Sequence, residues 1–430
     1  MDASAEPVVA PTFRDAIRFW FRLGLISFGG PGGQIALLHR ETVERRRWID
    51  DERFSKALAF CTFLPWPEAQ QLATWIGWFL HGTRGAIVAG VLFVLPASVL
   101  LLGLSWLRAS QGALPIVAAV LSGLRPVIAA IVLDAAWSMA RRRLQGTRDR
   151  VLALVSLVAA LSGALFPVVV ALAGIVGWFA TSSTILKPLN IGDSGAIVPH
   201  RWRREFYLIV TGLLLWLAPW TLISGATRAP FLGDVYLFFT QAAFVTFGGA
   251  YAVLGYVTQM AVEKFHWLSR VESLDGLSLA ETTPGPLIIV LQYVGFFAGW
   301  NNGACGAARL SCGVAAAFLT TWATFLPSIV FVLIGAPHVE RIGASPRLSG
   351  VFRAIGAAAT GVIFALGVEY ARTAVVLDPF AFPWFDAVAM TSLAIALAAL
   401  RSGRVPMGAV IVVGALFGWT RYELGPWLVP

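Results

Sequence analysis

The stretch "AETTPGPLIIV", residues 280–290, places an acidic residue, two threonines and a Pro-Gly-Pro triplet directly before an aliphatic run. Two prolines that flank a glycine interrupt almost any helix, because proline lacks a backbone N–H and glycine is conformationally free. The surrounding sequence is strongly apolar. The stretch therefore combines a charge and a broken backbone within an apolar part of the chain.

The composition indicates a polytopic membrane protein. Of the 430 residues, 58% are hydrophobic and 13% are charged, and the mean hydropathy is +0.76. Soluble domains carry about a quarter charged residues. The N-terminal sequence "MDASAEPVVAPTF" has no basic region followed by an apolar one, so we expect no cleavable signal peptide.

The basic net charge has a membrane explanation. The formal charge is +9 and the pI is near 10, but the basic residues cluster between apolar segments, as the positive-inside rule requires. We therefore expect the lipid bilayer, and no nucleic acid, as a partner. The cysteines Cys61, Cys305 and Cys312 form no CxxC pair and have no metal-ligand spacing. We interpret them as small buried apolar residues and expect no metal and no cofactor.

An internal repeat organises the apolar segments. Several segments are shorter than the ~20 residues that a helix needs to span hydrocarbon, and they come in pairs separated by Gly or Pro. "SFGG" at 27–30 matches "TFGG" at 246–249. The same offset of 219 residues relates Glu44 to Glu263, Trp48 to Trp267 and "PWP" at 65–67 to "PGP" at 284–286. The pattern indicates two related halves.

The two halves are predicted to insert in opposite orientations. The loop after the first FGG is rich in basic residues, whereas its counterpart has only Lys264 and Arg270. Because Lys and Arg mark cytoplasmic loops, the two loops are expected on opposite sides. We predict an all-α polytopic membrane protein with two inverted-topology repeats and half-length helices. The predicted domains are an N-terminal repeat (1–182), a cytoplasmic linker (183–205) and a C-terminal repeat (206–430).

The paired breaks indicate where a substrate would bind. An unpaired backbone group in hydrocarbon is costly, so a break is tolerated only within protein or beside water. Breaks at matching positions of two repeats point to a substrate site. The breaks are "FGGPGG" (28–33) with "FGGAYA" (247–252), and "LPWPEAQQ" (64–71) with "TPGPLIIV" (283–290). A helix that restarts at a break offers free N–H groups to an anion; alternatively, these residues only kink or pack the helices.

Two acidic residues accompany the second pair of breaks. Glu68 follows its PxP motif, whereas Glu281 precedes its own by three residues. Intramembrane carboxylates are candidates for function. The helix dipole favours the anion at Glu68, in a first turn, and opposes it at Glu281, in a last turn. We therefore predict proton coupling by Glu281 in preference to Glu68; the alternative is that Glu281 is a capping residue in a polar rim.

The candidate substrate-binding residues surround these breaks. They are Phe28, Gly29, Gly30, Pro65, Pro67, Gln70, Gln71, Arg125, Phe247, Gly248, Gly249, Thr282, Thr283, Pro284, Gly285, Pro286 and Gln292. The amide and hydroxyl side chains could donate to an oxyanion or bridge helices. Arg125 could bind the anion or pair with Asp134.

The sequence resembles the chromate ion transporter (CHR) family, in its long two-domain form. The motifs are "FGGPGGQIALLHRETVERRRWI", "LPWPEAQQLATWIGWFLHG", "GVLFVLP", "FVTFGGAYAVLGYV" and "DGLSLAETTPGPLIIVLQYVGF". The resemblance implies a multi-pass protein of the bacterial inner membrane that exports chromate with the proton motive force, with sulfate as the natural mimic. It also implies two homologous domains of opposite orientation. Trp66 stands where the family usually has the glycine of Pro-Gly-Pro.

Three classes of function follow from these observations. The first is a secondary transporter for chromate or a sulfate-like dianion, which could act as a homodimer. The second is a passive anion channel that uses the same helix ends. The third is a membrane enzyme such as a chromate reductase; the sequence has no Cys or His cluster, no dinucleotide-binding motif and no soluble domain, so we expect no enzyme.

Overall fold

The computed structural model describes residues 11–65, 67–112, 114–180, 202–226, 230–245, 250–339, 346–376 and 385–428. Within these ranges the chain forms α-helices joined by short π-helical and 3-10 segments, and the only β-type pairing is an isolated bridge between Val376 and Phe385. Of the predicted linker 183–205, only residues 202–205 lie within the described ranges.

The helices before the linker are α1 (Phe13–Ile26), α2 (Gly30–His39), α3 (Asp51–Phe63), α4 (Glu68–Gln111), α5 (Pro115–Arg143), α6 (Thr147–Leu161) and α7 (Phe166–Ala180). The linking helix is α8 (Trp202–Ala226). The helices after it are α9 (Phe231–Phe244), α10 (Ala250–Gln259), α11 (Arg270–Thr282), α12 (Val290–Trp300), α13 (Arg309–Gly335), α14 (Pro346–Val375), α15 (Ala387–Arg401) and α16 (Met407–Leu428).

The helices have the length and composition of a membrane protein. Four described segments are long and apolar enough to cross a bilayer: Glu68–Gln111, Pro115–Arg143, Gly303–Gly335 and Gly350–Val375. Large apolar side chains also cover the outer surface, as at Phe179, which is 80% exposed. A surface of this kind is stable in lipid and not in water. The prediction of an all-α polytopic membrane protein is confirmed.

The backbone repeats its geometry at the offset found in the sequence. Arg47 and His266, 219 residues apart, adopt positive φ values of 50° and 51°. Each follows a π-helical segment, at 40–45 and 260–264 respectively. The N–H of the next residue, Trp48 or Trp267, donates back into that segment at 2.8 Å in both cases. The similarity of the two halves therefore extends from motifs to local backbone geometry.

Helix α4 folds back on itself. His81 and Gly82 have non-helical dihedrals, so the helix consists of a short arm (68–80) and a long arm (83–111). A Cβ atom on Gly77 would lie 2.4 Å from the carbonyl oxygen of Gly85 and 2.5 Å from Cβ of Ala89. The two arms thus pack in direct backbone contact. Small residues at such interfaces let helices approach closely in membranes.

This contact leads to a prediction about stability. We expect Gly77→Ala to lower the thermal transition of the purified protein by several degrees, because overpacking of this kind costs about 1–3 kcal/mol. The matched control is Gly103→Ala in the long arm, where a Cβ has no neighbour within 4 Å. Equal transition temperatures for the two variants would contradict the close packing of the arms.

The halves contact each other in a reciprocal way. Gly335, at the end of α13, packs on Phe60 of α3, whose ring lies 2.4 Å from a Cβ built on the glycine. In the other direction, Arg108 near the end of the long arm of α4 donates a hydrogen bond to Asp275 of α11. The last turn of each long helix therefore lies beside the short helices of the other half.

One interpretation of the sequence was wrong. Cys305 and Cys312, which we read as small apolar residues, form a disulfide with a Cα–Cα distance of 6.3 Å. The loop between α12 and α13 turns the chain back and brings the two residues together. Cys61 is free and buried, in agreement with the apolar interpretation.

Candidate functional site

One break from each half meets at a single junction. The N–H of Gly285 donates to the carbonyl oxygen of Ser27 at 2.7 Å. The side-chain amide of Gln34 donates to the carbonyl oxygens of Gly285, at 2.5 Å, and of Ser27, at 3.3 Å. Backbone groups freed by the two breaks thus satisfy each other, with one buried glutamine between them. We call these three residues the junction.

The junction depends on the backbone freedom of glycine. Gly285 has a φ of +107°, and Gly29 and Gly30 have φ values of +97° and +67°. These values lie in the left-handed region, which other L-residues enter only at a cost. A Cβ atom on Gly285 would also lie 2.4 Å from Cβ of Ala97 in the long arm of α4. The close approach of this segment to α4 therefore requires glycine.

The two sides of the junction differ in exposure. Phe28 is 52% exposed and Gly29 is also exposed, whereas Pro284, Gly285 and Pro286 are buried. No side chain caps the N-terminus of α2 at Gly29. The hydroxyl oxygen of Ser27 is buried and has no hydrogen-bond partner among the residues that the structure describes. The residues beside the junction in the first half are thus exposed while the junction itself is buried, and its Ser27 hydroxyl has hydrogen-bonding capacity that no described residue uses.

The predicted glutamines make different contacts. Gln70 bridges the halves, because its Oε1 accepts from the hydroxyl of Ser328 at 2.6 Å and its Nε2 donates to Thr74. Gln292 bridges them in the opposite sense, with Nε2 donating to the carbonyl oxygen of Ser98 at 2.9 Å. Oε1 of Gln292 is buried and unpaired. Both glutamines therefore connect the two halves, and Gln292 has in addition a carbonyl oxygen that could accept a further hydrogen bond.

The remaining predicted polar residues bond locally. The hydroxyls of Thr282 and Thr283 donate to carbonyl oxygens of their own helix, and Nε2 of Gln71 donates to the carbonyl oxygen of Pro65 at 2.7 Å. Pro67 begins the short arm of α4 as its N-cap. The predicted site residues Phe247, Gly248 and Gly249, and also Trp66, lie outside the described residues.

Glu281 is buried and has a neutral partner. Glu281 is 6% exposed, and its Oε1 accepts a hydrogen bond from the hydroxyl of Tyr251 at 2.5 Å. No ion pair to Glu281 occurs in the part of the chain that the structure describes. Glu68 differs, because Oε1 lies 3.9 Å from the guanidinium of Arg143. The sequence did not indicate Tyr251 as the partner of Glu281, although Tyr251 lies two residues after the second FGG motif.

Arg125 pairs with an acid that the sequence analysis missed. Its Nε donates to Oδ1 of Asp275 at 2.8 Å and its Nη2 donates to Oδ2 at 3.2 Å, so the pairing with Asp134 that we had considered is absent. Arg108 donates to Oδ2 of the same carboxylate at 3.0 Å. A charged residue at the end of an apolar segment was the available signal for Arg108. Asp275 lies in a polar stretch of sequence, where a carboxylate gives no such signal.

Helix α11 connects these features. It is a polar helix, yet most of it is buried, including Asp275, Ser278 and Glu281. A rise of 1.5 Å per residue places Asp275 and Glu281 about 9 Å apart along the helix axis. The helix then ends at the Pro-Gly-Pro break and the junction. A row of buried polar groups therefore leads from Asp275, which Arg108 and Arg125 contact, to the junction.

A large cavity on the other side of Gln292 and Ser98 is mainly apolar. It has a volume of about 1210 Å³ and lies between the long arm of α4, α8 and α13, reaching Ser98 and Gln292. Its walls are formed mostly by side chains such as Leu95, Phe318 and Phe325. An apolar cavity offers little to a dianion, so we do not assign the substrate to it.

The fold and these buried polar groups define a class of protein. A helical membrane bundle with equivalent broken helices in its two halves, and with ionisable groups buried at the breaks, is typical of secondary transporters. The chain belongs to the chromate transporter family, whose model matches residues 14–178 and 233–419. The family indicated by the motifs is thus confirmed, and the chain is a multi-pass protein of the inner (plasma) membrane.

Individual relatives agree with this assignment. The chain is 27% identical to a chromate transport protein of Cupriavidus metallidurans, over 98% of this chain and 97% of the relative. It is 29% identical to a chromate transport protein of Pseudomonas aeruginosa, over 97% and 95%. It is 28% identical to a probable chromate transport protein of Synechococcus elongatus, over 82% and 83%. No solved structure matches the chain.

Proposed function

We propose that this protein exports chromate, a tetrahedral oxyanion, across the inner membrane in exchange for protons. Membership of the chromate transporter family and the names of the relatives support chromate as the substrate. The observation that carries the proposal is the junction of Ser27, Gln34 and Gly285, where two broken helices meet beside unused polar groups. The relatives named as transport proteins support transport in preference to catalysis.

The chemistry of the junction suits an oxyanion. The uncapped start of α2 offers free backbone N–H groups on the exposed side of the break, and the buried hydroxyl of Ser27 is a further donor close to it. Helix N-termini stabilise anions through free N–H groups and the positive end of the helix dipole. Chromate and sulfate have the same charge and shape, so we expect these donors to discriminate poorly between them.

Opposite insertion of the two halves, with domains at 1–182 and 206–430, is part of the proposal. Reciprocal contacts support it, because each long helix ends beside the short helices of the other half. The disulfide supports it as well, since disulfides persist in oxidising compartments and the Cys305–Cys312 loop is then periplasmic. The basic loop after the first FGG is cytoplasmic in the same arrangement.

Proton exchange is assigned to Glu281. A buried carboxyl group that has a neutral hydroxyl partner can alternate between charged and neutral forms as the surroundings open to either side. Glu68 instead has a positive charge, the guanidinium of Arg143, 3.9 Å from its Oε1. Protonation of Glu281 from outside would then accompany the release of chromate to that side.

Transport in inverted membrane vesicles tests this function. We expect labelled chromate to accumulate when the vesicle lumen is acidic and the membrane potential is clamped at zero with potassium and valinomycin. Accumulation should stop when a protonophore is added, and excess sulfate should compete. Equilibration without accumulation would indicate a passive anion channel instead. Accumulation of sulfate that chromate does not inhibit would contradict chromate as the substrate.

A further inference from the structure

Two arginines of the first half hold one carboxylate of the second half. Asp275 is completely buried, and the side chains of Arg108 and Arg125 are 17% and 24% exposed. Nη2 of Arg108 lies 2.9 Å from Oδ2, and Nε of Arg125 lies 2.8 Å from Oδ1. Gly112 makes room for Arg108, because a Cβ built there would collide with the guanidinium. We call these three residues, Arg108, Arg125 and Asp275, the arginine cluster.

The charges in this cluster do not balance. Two guanidinium groups stay protonated in proteins, so with one carboxylate they leave a net charge of +1. A further acid that interacts with Arg108, Glu272, serves as the cap of α11 and accepts from the N–H of Ser269 at 2.8 Å. Both arginine side chains are partly exposed, so an anion can reach the excess positive charge and offset it.

A buried hydroxyl beside the cluster has no partner. Tyr293 is fully buried, and its hydroxyl makes no hydrogen bond within the described parts of the chain. The phenol lies close enough to Asp275 and Arg108 to interact with both electrostatically. Its ring packs on Gly276, where a Cβ would lie 2.4 Å from the ring. Unsatisfied buried donors are rare in proteins, so this hydroxyl is available to a ligand that reaches the cluster.

We propose that Arg108, Arg125 and Tyr293 form a second binding station for the transported tetrahedral dianion, which Asp275 occupies as a resident carboxylate until the anion displaces it. The identity of the anion rests on the proposed function. Two planar guanidinium groups match the paired oxygens of an oxyanion, and two positive charges neutralise a dianion completely. The tyrosine hydroxyl supplies a further donor.

The position of the station gives it a role in transport. It is built from both halves, and α11 connects it to Glu281 about 9 Å away along the helix axis. An anion that takes the arginines away from Asp275 also removes a contact between the halves. Anion binding at this station would therefore favour movement of one half relative to the other.

Sulfate binding to the purified full-length protein tests this proposal without any transport. In isothermal titration, we expect Tyr293→Phe to weaken one class of sulfate sites about tenfold, because a donor to a charged ligand is lost. The thermal transition should stay unchanged or rise, since the buried unpaired hydroxyl is removed. Tyr207→Phe, at a tyrosine that is 67% exposed, is the control.

Asp275→Asn provides the second variant. Removal of the competing carboxylate should tighten sulfate binding at the same class of sites about tenfold. Wild-type sulfate affinity in both Tyr293→Phe and Asp275→Asn would overturn the station. That result would leave the proposal of proton-coupled export intact. If instead both variants change sulfate affinity as predicted but the vesicles accumulate no chromate, the proposed function is refuted and the station is not.

Discussion

Glu281→Gln protein should fold and bind chromate, yet fail to accumulate it in response to a pH gradient. Glutamine has the shape of glutamic acid and keeps an oxygen that accepts from the hydroxyl of Tyr251. It cannot bind or release a proton, so the exchange step loses its carrier. We expect gradient-driven uptake to fall to the background of vesicles without the protein.

The measurement is chromate uptake into vesicles with an acidic lumen, together with chromate exchange at equal pH on both sides. Exchange without net proton movement should survive in Glu281→Gln, which separates coupling from general loss of function. Glu52→Gln is the matched control, because Glu52 is an exposed carboxylate of a surface ion pair with Lys56. Full retention of coupling in Glu281→Gln would show that the carrier lies elsewhere, with Glu68→Gln as the next variant.

Gly285→Ala should lose both stability and transport. A non-glycine residue at a φ of +107° is strained, by about 1–2 kcal/mol for left-handed backbone. The new Cβ would lie 2.4 Å from Cβ of Ala97, so the break must also move away from α4. Overpacking of this kind adds about 1–3 kcal/mol. Because folded proteins are stable by only about 5–15 kcal/mol, we expect a clearly lower thermal transition.

Two further variants separate strain from collision. Gly403→Ala has the strain alone, since Gly403 has a φ of +65° and a Cβ there has no neighbour within 4 Å. Gly285→Ala combined with Ala97→Gly removes the collision and keeps the strain, so it should recover part of the stability. Transport by Gly285→Ala at the wild-type rate, with a wild-type transition temperature, would be incompatible with the junction as a close-packed functional element.

The sequence alone determined the class, the repeat and the positions of the breaks. Composition sufficed for the class, because a bilayer demands long apolar segments and few charges. The repeat was readable because its landmarks keep one offset, and the backbone at Arg47 and His266 follows the same offset. The breaks were predictable because the restrictions of proline and the freedom of glycine are covalent properties of single residues.

Only the tertiary structure decided which of these parts meet. The contact between Ser27 and Gly285, the choice of Asp275 over Asp134 by Arg125, and the Cys305–Cys312 disulfide all join residues whose partners local sequence does not specify. In a low-dielectric interior each freed backbone group and each charge must find a partner, but several partners are chemically equivalent. Packing of distant helices selects among them, so the partners follow from the arrangement of the whole bundle and not from any single segment.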